Sequence, residues 1–237
     1  MDLPLKILFQ DQHLIIVAKP ARLLVASDLS GDQTLLQQVR LWNAERQAPG
    51  KKGYCVPIHF LDRPVSGIVV FALSSKAAPR LNELFKQRRL QKIYVAIVEG
   101  RPPVDQGRLE HFLVKDKSNN LVRTASAKDP AGKHSILDYQ VLAAQNSRTW
   151  IKVQPETGRS HQIRVQLASM GTPIVGDGKY GAKSSWEGRI ALHAFRVRLR
   201  HPVGGQPLTI EADLPDYWNQ IWPEPWPIAA MKDVDEN

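Results

Sequence analysis

The chain has 237 residues, of which 43% are apolar and 23% charged, with a formal net charge of +9. That length suits one large domain, or one domain with a small appendage, and the apolar share is enough for a real core. An excess of positive charge points to polyanionic partners, RNA or DNA ahead of an anionic membrane surface; the alternative is a merely soluble basic protein. No apolar run approaches the ~20 residues of a membrane span, and "MDLPLKILFQDQ" has no signal-peptide pattern. The single cysteine, Cys55, excludes an internal disulfide, and no Cys/His cluster has zinc spacing. Cys55 is expected to pack as a small hydrophobe. The expected setting is cytoplasmic, with no membrane contact.

"KILFQ" and "HLIIVAKP" read as two strands around a polar turn at Asp11-Gln12. "DQTLLQQVRLWNAERQ" reads as a helix with Asp32 as N-cap and Leu35, Val39 and Trp42 on one face. "APGKKG" is a loop. "VPIHFL" and "IVVFAL" read as strands on either side of the turn "DRPVSG". "SSKAAPRLNELFKQRR" is helical in its second half, with Pro79 in the first turn and Leu81, Leu84 and Phe85 on its apolar face. "KIYVAIVEG" is the strongest strand pattern in the chain, and residues 107–155 read as several antiparallel strands. "SHQIRVQLASMG" reads as a helix with Ser160 as N-cap, a stripe of Ile163, Leu167 and Met170, and Gly171 just past its end. "GRIALHAFRVRLRHP" and "LTIEA" read as strands, "PDYWNQIW" as a small helix, and the tail from residue 228 as disordered. Strands interspersed with helices in no strict βαβ rhythm argue for α+β, not a doubly wound sheet.

Four stretches carry chemistry. In "HFLDRPVSG" a carboxylate, Asp62, follows an apolar run; Arg63 can hold an anion, Pro64 stiffens the turn, and Ser66-Gly67 leave room for close approach. An ordinary polar turn would look much the same. In "ETGRSHQIRVQL", Arg159, His161 and Arg164 crowd a helix start that favours anions. His161 and Arg164 share a face, from which the Arg could pair with a carboxylate of another loop. The bland reading is a surface salt bridge near a cap. In "QKIYVAIVEG" strand alternation puts Tyr94 on the side of Lys92, away from Ile93, Val95 and Ile97. "KQRRLQK" at 86–92 and "AFRVRLRHP", with Arg196, Arg198 and Arg200 on one face, form two basic tracts suited to phosphates or, equally, to solvent. His59, His161 and His193 fit no common metal spacing, so core or hydrogen-bonding roles are expected of them.

Taken in order, "HFLDRPVSG", "QKIYVAIVEG", "ETGRSHQIRVQLASMGTPIVGDGKYG" and "LHAFRVRLRHP" resemble the successive motifs of the RluA family of RNA pseudouridine synthases, from about Lys6 to about Pro215. The resemblance implies a single α+β catalytic domain over residues 1–227, with a mixed, mainly antiparallel sheet and a central cleft. It implies isomerisation of uridine to pseudouridine in structured RNA, ribosomal RNA ahead of transfer RNA, with no metal and no small-molecule cofactor. The bond from ribose to uracil nitrogen breaks, the uracil turns over while held, and a carbon–carbon bond forms through uracil carbon 5. Asp62 falls on the family's catalytic aspartate. Tyr94 falls on the tyrosine that packs on the base and assists proton removal from carbon 5, and Arg164 on the arginine paired with the aspartate. His59, Phe60, Arg63, Lys92, Arg159, His161, Arg196 and Arg198 are the expected RNA contacts.

The chain departs from the family pattern in places. Phe60 stands where many members have an arginine that fills the space left by the flipped base; it could stack there instead or point into the core. Val65 and Ser160 replace common threonines. The first strand begins within ten residues, which leaves out the small N-terminal RNA-binding module of some members. Two rivals remain: an RNA-binding protein with this fold and no turnover, and a glycosidase-like hydrolase needing a second carboxylate, for which Glu156 and Asp177 are the candidates.

Overall fold

The computed structural model describes residues 4–27, 31–46, 53–223 and 225–229. In chain order the elements are β1 (Lys6–Gln10), β2 (Leu14–Lys19), α1 (Leu35–Ala44), β3 (Val56–Pro57), β4 (Ser66–Ala72), α2 (Ala77–Lys86), β5 (Gln91–Glu99), β6 (Gln106–Asp116), β7 (Leu121–Ala125), β8 (Lys133–Gln145), β9 (Arg148–Pro155), α3 (Gln162–Ser169), β10 (Leu192–Arg200) and β11 (Pro207–Glu211). Short 3-10 helices occupy Gly178–Tyr180 and Asp216–Gln220. The chain divides into two compact units: Met1–Lys92 with Ala194–Asp213, and Ile93–His193 with Leu214–Asn237. Most of the "APGKKG" loop, and the tail from residue 230, lie outside the described residues.

In the first unit the strand order is β1-β2-β4-β10, with β3 paired to β4 and β11 to β10. In the second it is β5-β9-β8-β6-β7. The described registers are antiparallel, and a parallel bridge joins Leu24 to Thr34. The architecture is the expected α+β class with mixed, mainly antiparallel pairing. Burial explains the continuous apolar runs: Leu14 to Val17 of β2 and all seven residues of β4 are buried, so both strand faces must be apolar. Ile93 to Val98 of β5 are likewise buried on both sides, which overrides the one-sided alternation read from the sequence. The second unit closes on tryptophans: Trp150 meets Trp218 at 5.4 Å and Trp222 at 5.6 Å, both edge-on, geometries that aromatic quadrupoles favour.

Several local expectations are corrected. Thr34, not Asp32, caps α1: its hydroxyl accepts the Gln37 N–H while the Gln37 side chain accepts the Thr34 N–H, a complete capping box. Asp32 instead pairs with Arg63 at 2.6 Å. "VPIHFL" contributes only the two strand residues of β3; beyond them the His59 ring replaces a strand partner, its Nε2 accepting the Val70 N–H at 3.2 Å. Ser160 does not cap α3, which begins after a left-handed His161 (φ 51°). The Gln162 side chain closes that helix start by accepting the Arg159 N–H at 3.0 Å. Ile163 and Leu167 of the expected stripe on α3 are buried, but so are Gln162, Arg164, Val165 and Gln166, so burial of the helix is not one-sided.

Cys55 is buried, as its sequence context suggested. Burial pushes its thiol up to about 11, against a smaller opposing effect of the Arg40 charge. At pH 8 only about 0.1% of such a thiol is thiolate, the reactive form. Cys55 in the native protein is therefore expected to react with a chromogenic disulfide reagent on the order of 100-fold more slowly than after unfolding in urea.

Candidate active site

Asp62 lies half-buried on the turn between β3 and β4, in the first unit. The turn is closed by the Val65 N–H donating to the Asp62 carbonyl at 3.1 Å. The next peptide is pinned harder: the Arg63 carbonyl accepts the Arg22 N–H at 2.7 Å and the Lys19 ammonium at 3.3 Å. Arg63 returns a bond from its Nε to the Arg22 carbonyl at 3.2 Å. Its ion pair with Asp32 is about half-exposed, so it is worth at most about 1 kcal/mol. Just past the turn, Gly67 (φ +113°) has backbone atoms of Ala194, in β10, packed where a Cβ would sit, the nearest at 2.4 Å. The room for close approach read from Ser66-Gly67 is filled by a neighbouring strand.

Lys19 gave no functional signal in the sequence, because a lysine ending an apolar strand normally snorkels to water. Here it is buried, and its Nζ also donates to the carbonyls of Pro20 at 3.0 Å and Leu23 at 2.7 Å. Burial pulls its pKa down to about 7 from 10.5, the Asp62 charge working in the opposite direction. Lys19→Met leaves those carbonyls without this donor, and a loss of about 1–3 kcal/mol is expected from urea unfolding. The sign with pH follows from the depressed value: between about 7 and 10.5 the unfolded chain binds the extra proton. The Lys19 contribution is therefore full above that window and lost as pH falls through about 7. Lys19→Met should lack this part of the pH slope.

The expected RNA contacts divide by burial. Phe60 is 63% exposed; its side chain faces solvent and not the core, which suits stacking. Arg63 and Arg159 are exposed and Arg198 is half-buried. His59 is buried, stacked against Phe85 at 6.2 Å, and burial with the nearby Lys92 charge pulls its pKa down to about 3. Because its Nε2 accepts from Val70, the neutral ring carries its proton on Nδ1. It braces the turn from within. Lys92 rests on the Phe85 ring at 4.5 Å, and burial lowers its pKa to about 8. Arg196 is only 4% exposed and is paired with Glu211, its direct cross-strand neighbour, at 2.7 Å. The row of three solvent cations expected on β10 is thus corrected: its first member is neutralised inside the unit. His161 is buried against Tyr180.

Tyr94 and Arg164 belong to the second unit. Tyr94 is buried in β5, opposite Val153 of β9. Arg164 does pair with a carboxylate from another loop: its Nε and Nη2 donate to the two oxygens of Asp177 at 2.7 and 2.8 Å. The sequence offers Asp177 only as a candidate hydrolase carboxylate; here it is the partner of Arg164. The other such candidate, Glu156, is in an ion pair with Arg108. Among the described residues no group of three or more His, Cys, Asp or Glu is placed to hold a metal, and no helix is long and apolar enough to cross a membrane.

Residues 13–169 match the family model described as RNA pseudouridylate synthase. The chain belongs to that family. Among its relatives is the dual-specificity RNA pseudouridine synthase RluA of Haemophilus influenzae, 36% identical over 88% of this chain and 92% of that one. The tRNA pseudouridine synthase C of Salmonella typhi is 35% identical over 92% of this chain and 88% of its own. These place this pseudouridylate synthase in the RluA branch. A solved structure, human RNA pseudouridylate synthase domain containing 1, superposes with a TM-score of 0.70 at 28% identity, covering 90% of this chain and 84% of that one. As a pseudouridylate synthase the protein is an isomerase acting on RNA.

Proposed function

We propose that this synthase isomerises specific uridines in structured RNA with Asp62 as its nucleophile. The observation that carries the reading is the Asp62 turn, a half-exposed carboxylate on a backbone locked by Lys19 and Arg22. A fixed carboxylate is what an attack on a held nucleotide requires, because orientation removes much of the barrier. Tyr94 takes the family tyrosine's place against the base, assisting loss of the carbon 5 proton. Arg164 takes the place of the arginine that keeps the aspartate ionised. Phe60 and the exposed arginines hold the RNA, and unstacking the target costs a few kcal/mol, least in loops. Ribosomal and transfer RNA are both test substrates, since the relatives include a dual-specificity enzyme and a tRNA enzyme.

The test is tritium release to water from ribosomal and transfer RNA transcripts labelled on uracil carbon 5. Release that leaves the backbone and base count unchanged supports isomerisation, and the transcript that responds names the target. Binding to the same transcripts with no release would favour the fold acting as a binder without turnover.

A further inference from the structure

Arg164 is gripped by a single turn of its own unit. Asp177 supplies the bidentate carboxylate, and three residues later Tyr180 lays its ring beside the guanidinium, 5.1 Å from the ring centre to the central carbon. The turn is rigid: the Asp177 N–H donates to the Ile174 carbonyl, and the Asp177 carbonyl accepts the N–H groups of Tyr180 and Ala182 at 2.9 and 3.1 Å. Gly176 (φ +85°) lets the turn press against the Arg189 carbonyl, 2.5 Å from where a Cβ would sit. The Tyr180 hydroxyl accepts the Val122 N–H at 3.0 Å and is bonded to His161 Nδ1 at 2.7 Å. It thereby also holds the left-handed residue that starts the helix of Arg164.

The side chains of Arg164 and Asp177 are 7% and 1% exposed. A pair so buried recovers little of its desolvation cost and is a poor source of stability compared with apolar packing. Its geometry does fix something: two parallel bonds and a ring contact define both the plane and the direction of the guanidinium.

We propose that Asp177 and Tyr180 are positioning residues, which together hold the Arg164 guanidinium in the one orientation that serves the reaction. This rests on the reading of Arg164 as the cation that supports the catalytic aspartate. Neither residue touches substrate; both act through Arg164.

The test is a double-mutant cycle on kcat, with RNA affinity measured separately by filter binding and the folded fraction by near-UV circular dichroism. Asp177→Asn keeps an acceptor, so that the buried site is not stripped. It should lower kcat about 100-fold, the scale of a misplaced catalytic group, with RNA affinity within a few-fold of wild type. Arg164→Lys should cost a similar factor, and the double variant should be little worse than either, because both remove one device. Tyr180→Phe keeps the ring but loses the hydroxyl's bonds to Val122 and His161, and it should lose less of kcat than Tyr180→Leu, which loses both. Additive losses, or an Asp177→Asn protein with wild-type kcat per folded molecule, would overturn the proposal. Turnover retained by Asp62→Asn would instead overturn the functional reading beneath it, while the cycle between Asp177 and Arg164 would still report their coupling.

Discussion

Asp62→Asn is expected to abolish tritium release, by at least about 10⁴-fold in kcat/KM, while leaving folding and RNA affinity in place. The amide is isosteric with the carboxylate but has no anionic oxygen with which to attack, so the chemical step loses its nucleophile. Folding should survive because Asp62 is half-exposed and the turn is held through backbone atoms: the Arg63 carbonyl takes bonds from Arg22 and Lys19, and the Asp62 carbonyl takes the Val65 N–H. The substitution removes one negative charge beside an RNA surface, so affinity should hold or rise. The same change removes the charge that supports the Lys19 proton, and the Lys19 pKa should fall further. Matched measurements of tritium release, filter binding and unfolding midpoint separate these effects. Substantial turnover by the Asn variant would remove Asp62 from the chemistry.

Gly67→Ala should be the most damaging single methyl in the first unit. At φ +113° an L-residue is strained whatever its surroundings, and the added Cβ would meet the oxygen, nitrogen and carbon of Ala194 at 2.4, 2.5 and 2.8 Å. All three are backbone atoms of β10, so no rotamer change relieves the clash, and β4 and β10 must part. A loss above about 4 kcal/mol is expected, with poor soluble yield. Gly100→Ala is the control: φ is +78° but nothing lies within 4 Å of its added Cβ. It should cost only the conformational strain, about 1–2 kcal/mol. Equal unfolding midpoints for the two variants would show that the close approach of β10 is not what demands glycine at 67.

Much of the strand framework was legible because burial writes itself into composition. β2, β4 and β5 are apolar almost without interruption, and each is buried on both faces. The misread points are those where a polar side chain does a job that the backbone usually does. Thr34 and Gln37 formed a readable capping motif, but Asp32 is the stronger capper by type; it pairs with Arg63 instead. The His59 ring accepts a strand N–H where the sequence suggested more strand, and the Gln162 amide caps a helix in place of Ser160. Charge misled in another way. Arg196 belongs by spacing to a row with Arg198 and Arg200, yet its register places it opposite Glu211, and its buried side chain is paired there. β10 and β11 are consecutive strands, but which residue faces which depends on the length of the turn between them, and the spacing along β10 alone does not show it. The partner of Arg164 was expected to come from another loop, and the glycine-rich "GDGKYG" held the signal: a tight turn presenting Asp177 and Tyr180 together.

The split of the first unit along the chain bears on how the protein is made. β4, which follows the Asp62 turn, ends at Ala72, and β10, its neighbour in the sheet, begins at Leu192. A ribosome adding roughly 5–20 residues per second needs about 6–24 s to cover that gap. Throughout that interval the nascent chain carries an apolar, β-prone segment, "SGIVVFA", which can pair with β2 on one edge while its neighbour on the other has yet to be synthesised. Such an unpaired edge invites pairing with other chains. Yield of active protein should therefore depend on translation speed and on chaperones that mask this strand, more than on the stability of the finished fold.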